Sequence, residues 1–576
     1  MSMPEAGSAA EGSAGTQLSR RYATVPTPHS RRAHCSAGRF DSPLSRRPEA
    51  SVWRPRSRRR ASVADGLSTD QPIAHLHVSV FRERRRTRNG PAFCPFTRSI
   101  RHLSHSPFAS QEHYDMTFLK SPPAGPEAVA DEYAATISGA SLPKYRIPEA
   151  SSDRRAVFDL VRDELFMDGN SRQNVATFCT TYIDDEVRRL MDLSIDKNMI
   201  DKDEYPQTAE IEMRCVHMLA DLWHASRSWK TTGCSTTGSS EACMLGGLAL
   251  KWQWKKRREA QGKPTDKPNF VCGPVQVCWE KFARYFDVEM REVPLSGDSL
   301  GLRPEDLAAY CDENTIGVVA TLGITFTCVY EPVKALAAAL DTLQRDVGID
   351  IPIHVDAASG GFVAPFIQPD LEWDFSVPRV KSINASGHKY GLAPLGVGWV
   401  VWRSVQDLPD DLIFRVDYLG GDMPTFALNF SRPAGQIIAQ YYMLLRLGRE
   451  GYRHIQQECA DTAQALADGL SKIEAIEMIY DGHGALPAVC YKLRHPETAG
   501  FTLFDLSDHV RMRGWQIASY KLPPGREETI VQRVLIRRGV TRDMAAMLLE
   551  DIRHAIAHLA KNPVPHSTAR PTFHHD

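Results

Sequence analysis

Between residues 171 and 456 short apolar runs of β type, at 270–273, 315–321, 351–355, 381–385 and 398–402, alternate with helix-compatible stretches. That alternation predicts an α/β fold: a large, mostly parallel sheet with helices on both faces. Helix-type spacing returns over 457–474, followed by β-like runs at 488–493 and 530–536 and a closing helix at 544–559. These elements predict a smaller carboxyl-terminal α+β domain. Ahead of the sheet, 116–170 mixes Pro and Gly loops with one amphipathic helix at 156–165, an arm expected to pack onto something larger. The expected organisation is an extension (1–115), the arm (116–170), a large domain (171–456), a small domain (457–560) and a flexible tail (561–576). No internal repeat is visible, and no low-complexity tract lies outside the extension.

Charge separates the extension from the rest. Over the whole chain of 576 residues, 69 Lys+Arg stand against 70 Asp+Glu, so bulk charge argues for neither nucleic acid nor membrane. Residues 1–115 nevertheless hold 19 Arg, no Lys and 9 acidic residues, a net of +10 that leaves −11 for the remainder. Runs such as Arg56-Ser57-Arg58-Arg59-Arg60, set among Ser and Pro, cannot bury enough apolar surface to offset chain entropy, which predicts disorder. Three readings stay open for it, in order of preference: translation from an upstream start with the native start near Met116, an organelle transit segment, or a nucleic-acid arm. The lack of Lys speaks against the last, since a basic arm ordinarily uses both cations on phosphates.

The 12 cysteines run from Cys35 to Cys490 without a Cys-x-x-Cys pair, against a zinc ribbon or a disulfide framework and for a reducing, cytoplasmic compartment. No metal site is expected. No apolar run approaches the roughly 18 residues of a membrane span.

Candidate chemistry sits where the predicted strands end. The segment Ile383-Asn384-Ala385-Ser386-Gly387-His388-Lys389-Tyr390-Gly391 places Lys389 at a strand's carboxyl end, where ligands of α/β folds collect. A desolvated amine flanked by small residues can form a Schiff base with a flat ring, although alone Lys389 is equally a surface lysine on a turn. In His354-Val355-Asp356-Ala357-Ala358-Ser359-Gly360-Gly361, the acid at the end of a buried strand can hold a pyridinium nitrogen protonated, or merely cap the turn that follows. In Thr237-Gly238-Ser239-Ser240-Glu241-Ala242, leading into a helix-compatible run at 242–254, free N–H groups, hydroxyls and the helix dipole suit a phosphate. Serine at a helix start is also an ordinary N-cap.

With lysine, acid and anion cradle on three strand ends, the chain resembles glutamate decarboxylase of the bacterial and plant type. This is a group II decarboxylase family of fold type I that depends on pyridoxal 5′-phosphate (PLP). The resemblance runs nearly continuously from about Ile147 and is carried word for word by Asp201-Lys202-Asp203-Glu204-Tyr205-Pro206-Gln207, Lys267-Pro268-Asn269-Phe270-Val271-Cys272-Gly273-Pro274-Val275-Gln276 and Asn429-Phe430-Ser431-Arg432-Pro433-Ala434-Gly435-Gln436. It implies that Lys389 is the catalytic Schiff-base lysine, that His388, Ser239 and Ser240 bind the cofactor phosphate, and that Asp356 partners the ring nitrogen. It also implies that Gln276 lies over the ring face, that Thr325 and Ala358 contact the cofactor, and that Ser431 reaches the phosphate of a neighbouring subunit. That last role implies a homodimer or a higher homo-oligomer, up to a hexamer.

For the substrate, L-glutamate, the resemblance points to Arg533 as the grip on the α-carboxylate, whose shape its fork matches in two bonds. The side-chain carboxylate would meet Thr177, Phe178 and Asn198, with Asp201 close by. An acid beside a carboxylate must share a proton with it, which favours activity at mildly acidic pH. Thr177 and Asn198 as helix caps, and Arg533 paired with a structural acid, are the bland alternatives.

Two positions stand apart. Glu280 replaces a histidine of the family, which puts a new carboxylate near the cofactor. The tail Phe573-His574-His575-Asp576 resembles one in which the penultimate residue, here His575, plugs the site at neutral pH; a frayed tail is the alternative. The expected reaction gives 4-aminobutyrate and carbon dioxide with one proton consumed, and the freed Lys389 is a candidate donor. Rivals are a decarboxylase of the same fold acting on an aromatic or sulfinate substrate, and a catalytically silent PLP-binding protein whose arm contacts nucleic acid. No nucleic acid partner is expected for the folded part.

Overall fold

The computed structural model describes residues 142–226, 228–418 and 423–563. The chain enters through α1 (Arg154–Leu165), α2 (Asp185–Asp192) and α3 (Pro206–Leu222). Asp153 caps α1 by accepting from the N–H groups of Arg155 and Ala156, both at 3.0 Å. No residue of α1 is buried, and Phe158, Val161 and Leu165 all stand more than half exposed.

Strands and helices then alternate: β1 (Thr232–Thr236), α4 (Ser239–Ala260), β2 (Asn269–Cys272), α5 (Val277–Phe286), β3 (Glu289–Glu292), α6 (Leu307–Tyr310), β4 (Thr315–Thr321), α7 (Val333–Val347), β5 (Ile353–Asp356), α8 (Ala364–Ile367), β6 (Val380–Ala385) and β7 (Gly398–Trp402). The sheet has the order β1-β7-β6-β5-β4-β2-β3. The block β6-β5-β4-β2-β3 is parallel; β7 runs against β6, and β1 runs against β7.

Both faces of this sheet are covered, so its inner strands carry continuous apolar runs instead of an alternating pattern. Val271 and Val318 pack with α3, α7 and the next long helix, whereas Phe270, Cys272 and Val319 pack with α4 and α5. The close seat of α4 depends on Gly246 and Gly247: a Cβ there would meet the His354 ring at 2.4 Å and the Phe282 ring at 2.6 Å.

The short strands β8 (Phe414–Val416) and β9 (Met423–Thr425) lead to α9 (Gly435–Leu470), and the chain closes with β10 (Ile476–Tyr480), β11 (Ala488–Leu493), α10 (Leu503–Arg511), β12 (Ala518–Lys521), β13 (Ile530–Leu535) and α11 (Arg542–Lys561). An antiparallel sheet of order β10-β11-β13-β12 packs on the second half of α9, α10 and α11, around Leu466, Tyr491, Val534, Leu548 and Ile552. The expected junction at 456/457 therefore lies inside α9. This helix starts 22 residues earlier than the spacing predicted and bends at Gly448, whose φ of 55° and ψ of −168° break the helical path. Val175 joins the small domain by accepting from Leu535 N and donating to Gln516 O, which fixes the loop ahead of α2 against both parts.

Candidate active site

Five strands present their ends to one cavity of about 490 Å³. It is bordered by Ser239 and Ser240 after β1, Gln276 after β2, Thr325 after β4, Asp356 and Ala358 at the end of β5, and His388 and Lys389 after β6. This is the carboxyl edge of a doubly wound sheet, where the helix-facing loops diverge and leave a crevice. Lys389 is partly exposed, to the cavity it lines. Its Nζ donates to Ser359 Oγ at 3.3 Å and lies 4.9 Å from the centre of the Phe178 ring. Burial pushes the amine below its ordinary pKa, with Asp356 opposing.

Among the described residues Asp356 is held by four donors and has no ion-pair partner. Oδ1 accepts from Asn384 Nδ2 at 3.0 Å and Ala358 N at 3.1 Å; Oδ2 accepts from Trp279 Nε1 at 2.9 Å and Cys243 Sγ at 3.5 Å. The Cys243 and Cys278 sulfurs and an Asp356 oxygen lie within 4.8 Å of one another. Burial holds the Cys243 thiol well above its usual pKa, so it keeps its proton and donates to Asp356.

The β1–α4 turn forms the opposite wall. Ser239 Oγ is hydrogen-bonded to Ser386 Oγ. Glu241 accepts from Thr237 N at 2.8 Å and from Asn429 Nδ2 at 3.1 Å, tying the turn to the segment that carries Ser431. His388 Nδ1 accepts from the N–H groups of Val397 at 3.2 Å and Gly396 at 3.4 Å. Burial, reinforced by the Lys389 charge, drives its pKa to about 4, so the ring is neutral with its proton on Nε2. A Cβ on Gly238 would stand 3.1 Å from His388 Cε1, so a larger residue would press that ring aside by a few tenths of an ångström.

Arg533 reaches the cavity from β13 of the small domain. Its guanidinium donates to Thr325 O and, at 2.9 Å, to Ala176 O, and it lies 4.5 Å from the centre of the Phe178 ring. Among the described residues no carboxylate pairs with it, and Arg533 Nε and Thr321 Oγ1 are buried without a partner. The expected alternative of a structural acid partner is thus not what holds it. Thr177 and Phe178 border the same cavity, from a turn in which Thr177 Oγ1 accepts from Cys179 N at 3.2 Å.

Three sequence candidates lie elsewhere. Asn198 and Ser431 line a separate, open surface pocket, and Asp201, one turn on from Asn198, lines neither. Asn198 Nδ2 donates to Ser431 Oγ at 3.2 Å, and its Oδ1 accepts from Arg432 N at 3.1 Å. Arg432 is buried and anchored on Ser235 of β1 and, at 3.6 Å, on Glu212 of α3. The reading of Glu280 as a carboxylate near the cofactor is corrected: Glu280 faces away on α5, exposed and outside the cavity. His575 lies outside the described residues. The sequence reading passed over Ser359, Ser386 and Asn384, although each stands in a quoted strand-end segment, and over Trp279, which the pattern marks only as apolar.

The description "Pyridoxal-dependent decarboxylase conserved domain" matches residues 150–494. A protein of Aliivibrio fischeri named glutamate decarboxylase is 61% identical over 438 residues, 76% of this chain and 94% of its own length. One of the same name from Solanum lycopersicum is 47% identical over 440 residues, 76% and 87% of the two chains. The solved structure of a Lactobacillus brevis glutamate decarboxylase superposes with a TM-score of 0.72 at 46% identity, covering 75% of this chain and 98% of that one.

Proposed function

The chain belongs to the pyridoxal-dependent decarboxylase family, and from that premise we propose that it removes the α-carboxylate of L-glutamate, giving 4-aminobutyrate and carbon dioxide with the uptake of one proton. Glutamate rests on the name of the relative 61% identical over 438 residues, and the observation that carries the grip on the α-carboxylate is Arg533: a buried guanidinium without a carboxylate partner among the described residues, in the cavity that also holds Lys389. Such a group is costly to bury unless an anion arrives to meet it.

The residues present fit PLP: an amine, a carboxylate and a neutral donor beside a glycine-bounded turn share one cavity. Bound there, PLP supplies an electron-poor ring that accepts the electron pair left when the bond to the α-carboxylate breaks. Lys389 holds the cofactor; its depressed pKa raises the fraction of neutral amine that can act as nucleophile. Asp356 faces the ring nitrogen. The α4 amino terminus with Ser239 and Ser240, and the Nε2–H of His388, take the phosphate. Gln276, Thr325 and Ala358 border the ring, and Arg533 orients the α-carboxylate, with Thr177 and Phe178 at the substrate's far end. Lys389 Nζ would be a candidate donor of the proton taken up at the α-carbon.

Asn198, Asp201 and Ser431 serve a neighbouring copy in this reading. They sit together outside the cavity of their own chain, and exposed Leu428 and Phe430 flank Ser431. The working unit is then a homodimer or a larger homo-oligomer. A reducing, cytoplasmic setting belongs to the same reading and rests on cysteines scattered along the sequence without a Cys-x-x-Cys pair. No helix among the described residues is long and apolar enough to cross a membrane.

The test is a substrate panel on the PLP-loaded protein, covering glutamate, aspartate, aromatic and sulfinate amino acids, scored by the amine produced. Glutamate alone should yield product at a high rate. Turnover of an aromatic or sulfinate amino acid in its place, or of none, would sink the assignment.

A further inference from the structure

The acid at the end of β5 is held at both oxygens by side chains that do not line the cavity, Asn384 on Oδ1 and Trp279 on Oδ2. Asn384 spends its amide N–H on Asp356 Oδ1, so its own Oδ1, 2.7 Å from His354 Nε2, must accept. His354 is fully buried, and burial keeps its pKa below the ordinary value, so the ring is neutral with the proton on Nε2. Its Nδ1 then accepts from Ser382 Oγ at 2.7 Å. The direction of every bond in the chain Ser382, His354, Asn384, Asp356 is thereby fixed from the carboxylate end. On the other oxygen, the indole N–H of Trp279 donates at 2.9 Å, and its ring packs edge-on against His354, centroids 5.3 Å apart.

We propose that Trp279 and the Ser382–His354–Asn384 chain are positioning residues that lock the plane of the Asp356 carboxylate toward the cofactor's ring nitrogen. The inference rests on the reading of Asp356 as that nitrogen's partner. A carboxylate offers about four in-plane acceptor positions, and here each has a donor. The weakest donor is the thiol of Cys243 at 3.5 Å, on Oδ2, so it is the bond most readily given up when a ring N–H arrives from the cavity side. The three stronger donors stay in place and prevent rotation about the Cβ–Cγ bond.

The experiment compares holoenzymes carrying Trp279→Phe, which keeps the buried ring and removes only the N–H, and Asn384→Ala, which cuts the chain from His354. Each is read by the PLP dissociation constant from equilibrium dialysis and by the pH midpoint of the bound cofactor's visible band, beside kcat and KM. Each should weaken PLP binding roughly tenfold, the weight of one hydrogen bond to a charged group. Each should also shift the spectral midpoint and lower kcat with KM for glutamate unchanged. Should Trp279→Phe not fold, Asn384→Ala carries the test alone. Wild-type PLP affinity and midpoint in the folded variants would overturn the inference. Asp356→Asn separates the two levels: wild-type behaviour in that variant removes the ring-nitrogen reading itself.

Discussion

Lys389 and Arg533 share one ring: the ammonium lies 4.9 Å and the guanidinium 4.5 Å from the centre of Phe178. One cation comes from the end of β6 and the other from β13, so Phe178 marks where the two domains meet over the cavity. The π-face of Phe178 attracts a positive charge on either group. A dicarboxylate entering beside them would meet an anchor for one carboxylate next to the amine that would hold the cofactor.

Replacing Lys389 with Ala should abolish turnover and the visible band of the lysine-held cofactor. Carbon dioxide release from that variant above a no-enzyme control would refute the role given to it.

Arg533→Lys keeps the charge but loses the fork and one of the two bonds to Thr325 O and Ala176 O. We expect kcat/KM for glutamate to drop roughly a hundredfold, equivalent to about 3 kcal/mol of lost stabilisation. A loss below about threefold, with an unchanged melting temperature, would show that another group grips the substrate.

If Asn198 and Asp201 act in a neighbour's cavity, two dead variants can rescue each other. Co-expression of Lys389→Ala with the double variant Asn198→Ala, Asp201→Ala should restore roughly a quarter of wild-type activity, because half the dimers are mixed and each has one intact site. Lys389→Ala with Arg533→Ala should restore none, since both residues border the same cavity. Equal absence of rescue in the two pairings would place Asn198 and Asp201 outside the partner's site.

Glu331 is buried behind the cavity wall, where it accepts from Thr321 N at 2.6 Å and Leu302 N at 2.8 Å. Burial raises its pKa to about 7 from the model-peptide 4.5, so the folded state holds a proton that the unfolded chain has released. Its contribution to stability is complete below pH 4.5 and is lost as pH rises through 7, on the order of 3 kcal/mol in all. His388, with its pKa lowered, works in the opposite sense: its contribution is present above about 6.5 and lost as pH falls through 4. Relative to wild type, Glu331→Gln should therefore gain in urea midpoint between pH 4.5 and pH 8. Parallel midpoint curves for the two proteins would contradict this.

Where a strand is buried on both faces, its composition is readable, and so β4 and β7 fall where the apolar runs at 315–321 and 398–402 placed them. β1, with the sequence Thr-Gly-Cys-Ser-Thr, escaped because its buried Ser235 is satisfied by Glu212 and Arg432, one of them 197 residues along the chain. The edge strand β3, Glu-Met-Arg-Glu, escaped for the reverse reason: an edge needs no apolar run. The first half of α9 was hidden because Gly448 interrupts its pattern.

By itself the sequence determined the chemistry available: an amine and an acid at two strand ends and an anion-binding turn ahead of a helix, because strand periodicity and turn residues are local properties of the chain. Only the folded arrangement decided which of those groups meet. It brought Arg533 from a second domain to Lys389, carried Asn198 and Ser431 away to their own surface, turned Glu280 outward and surrounded Asp356 with donors. Such choices depend on packing between segments up to hundreds of residues apart, on which local patterns along the chain are silent.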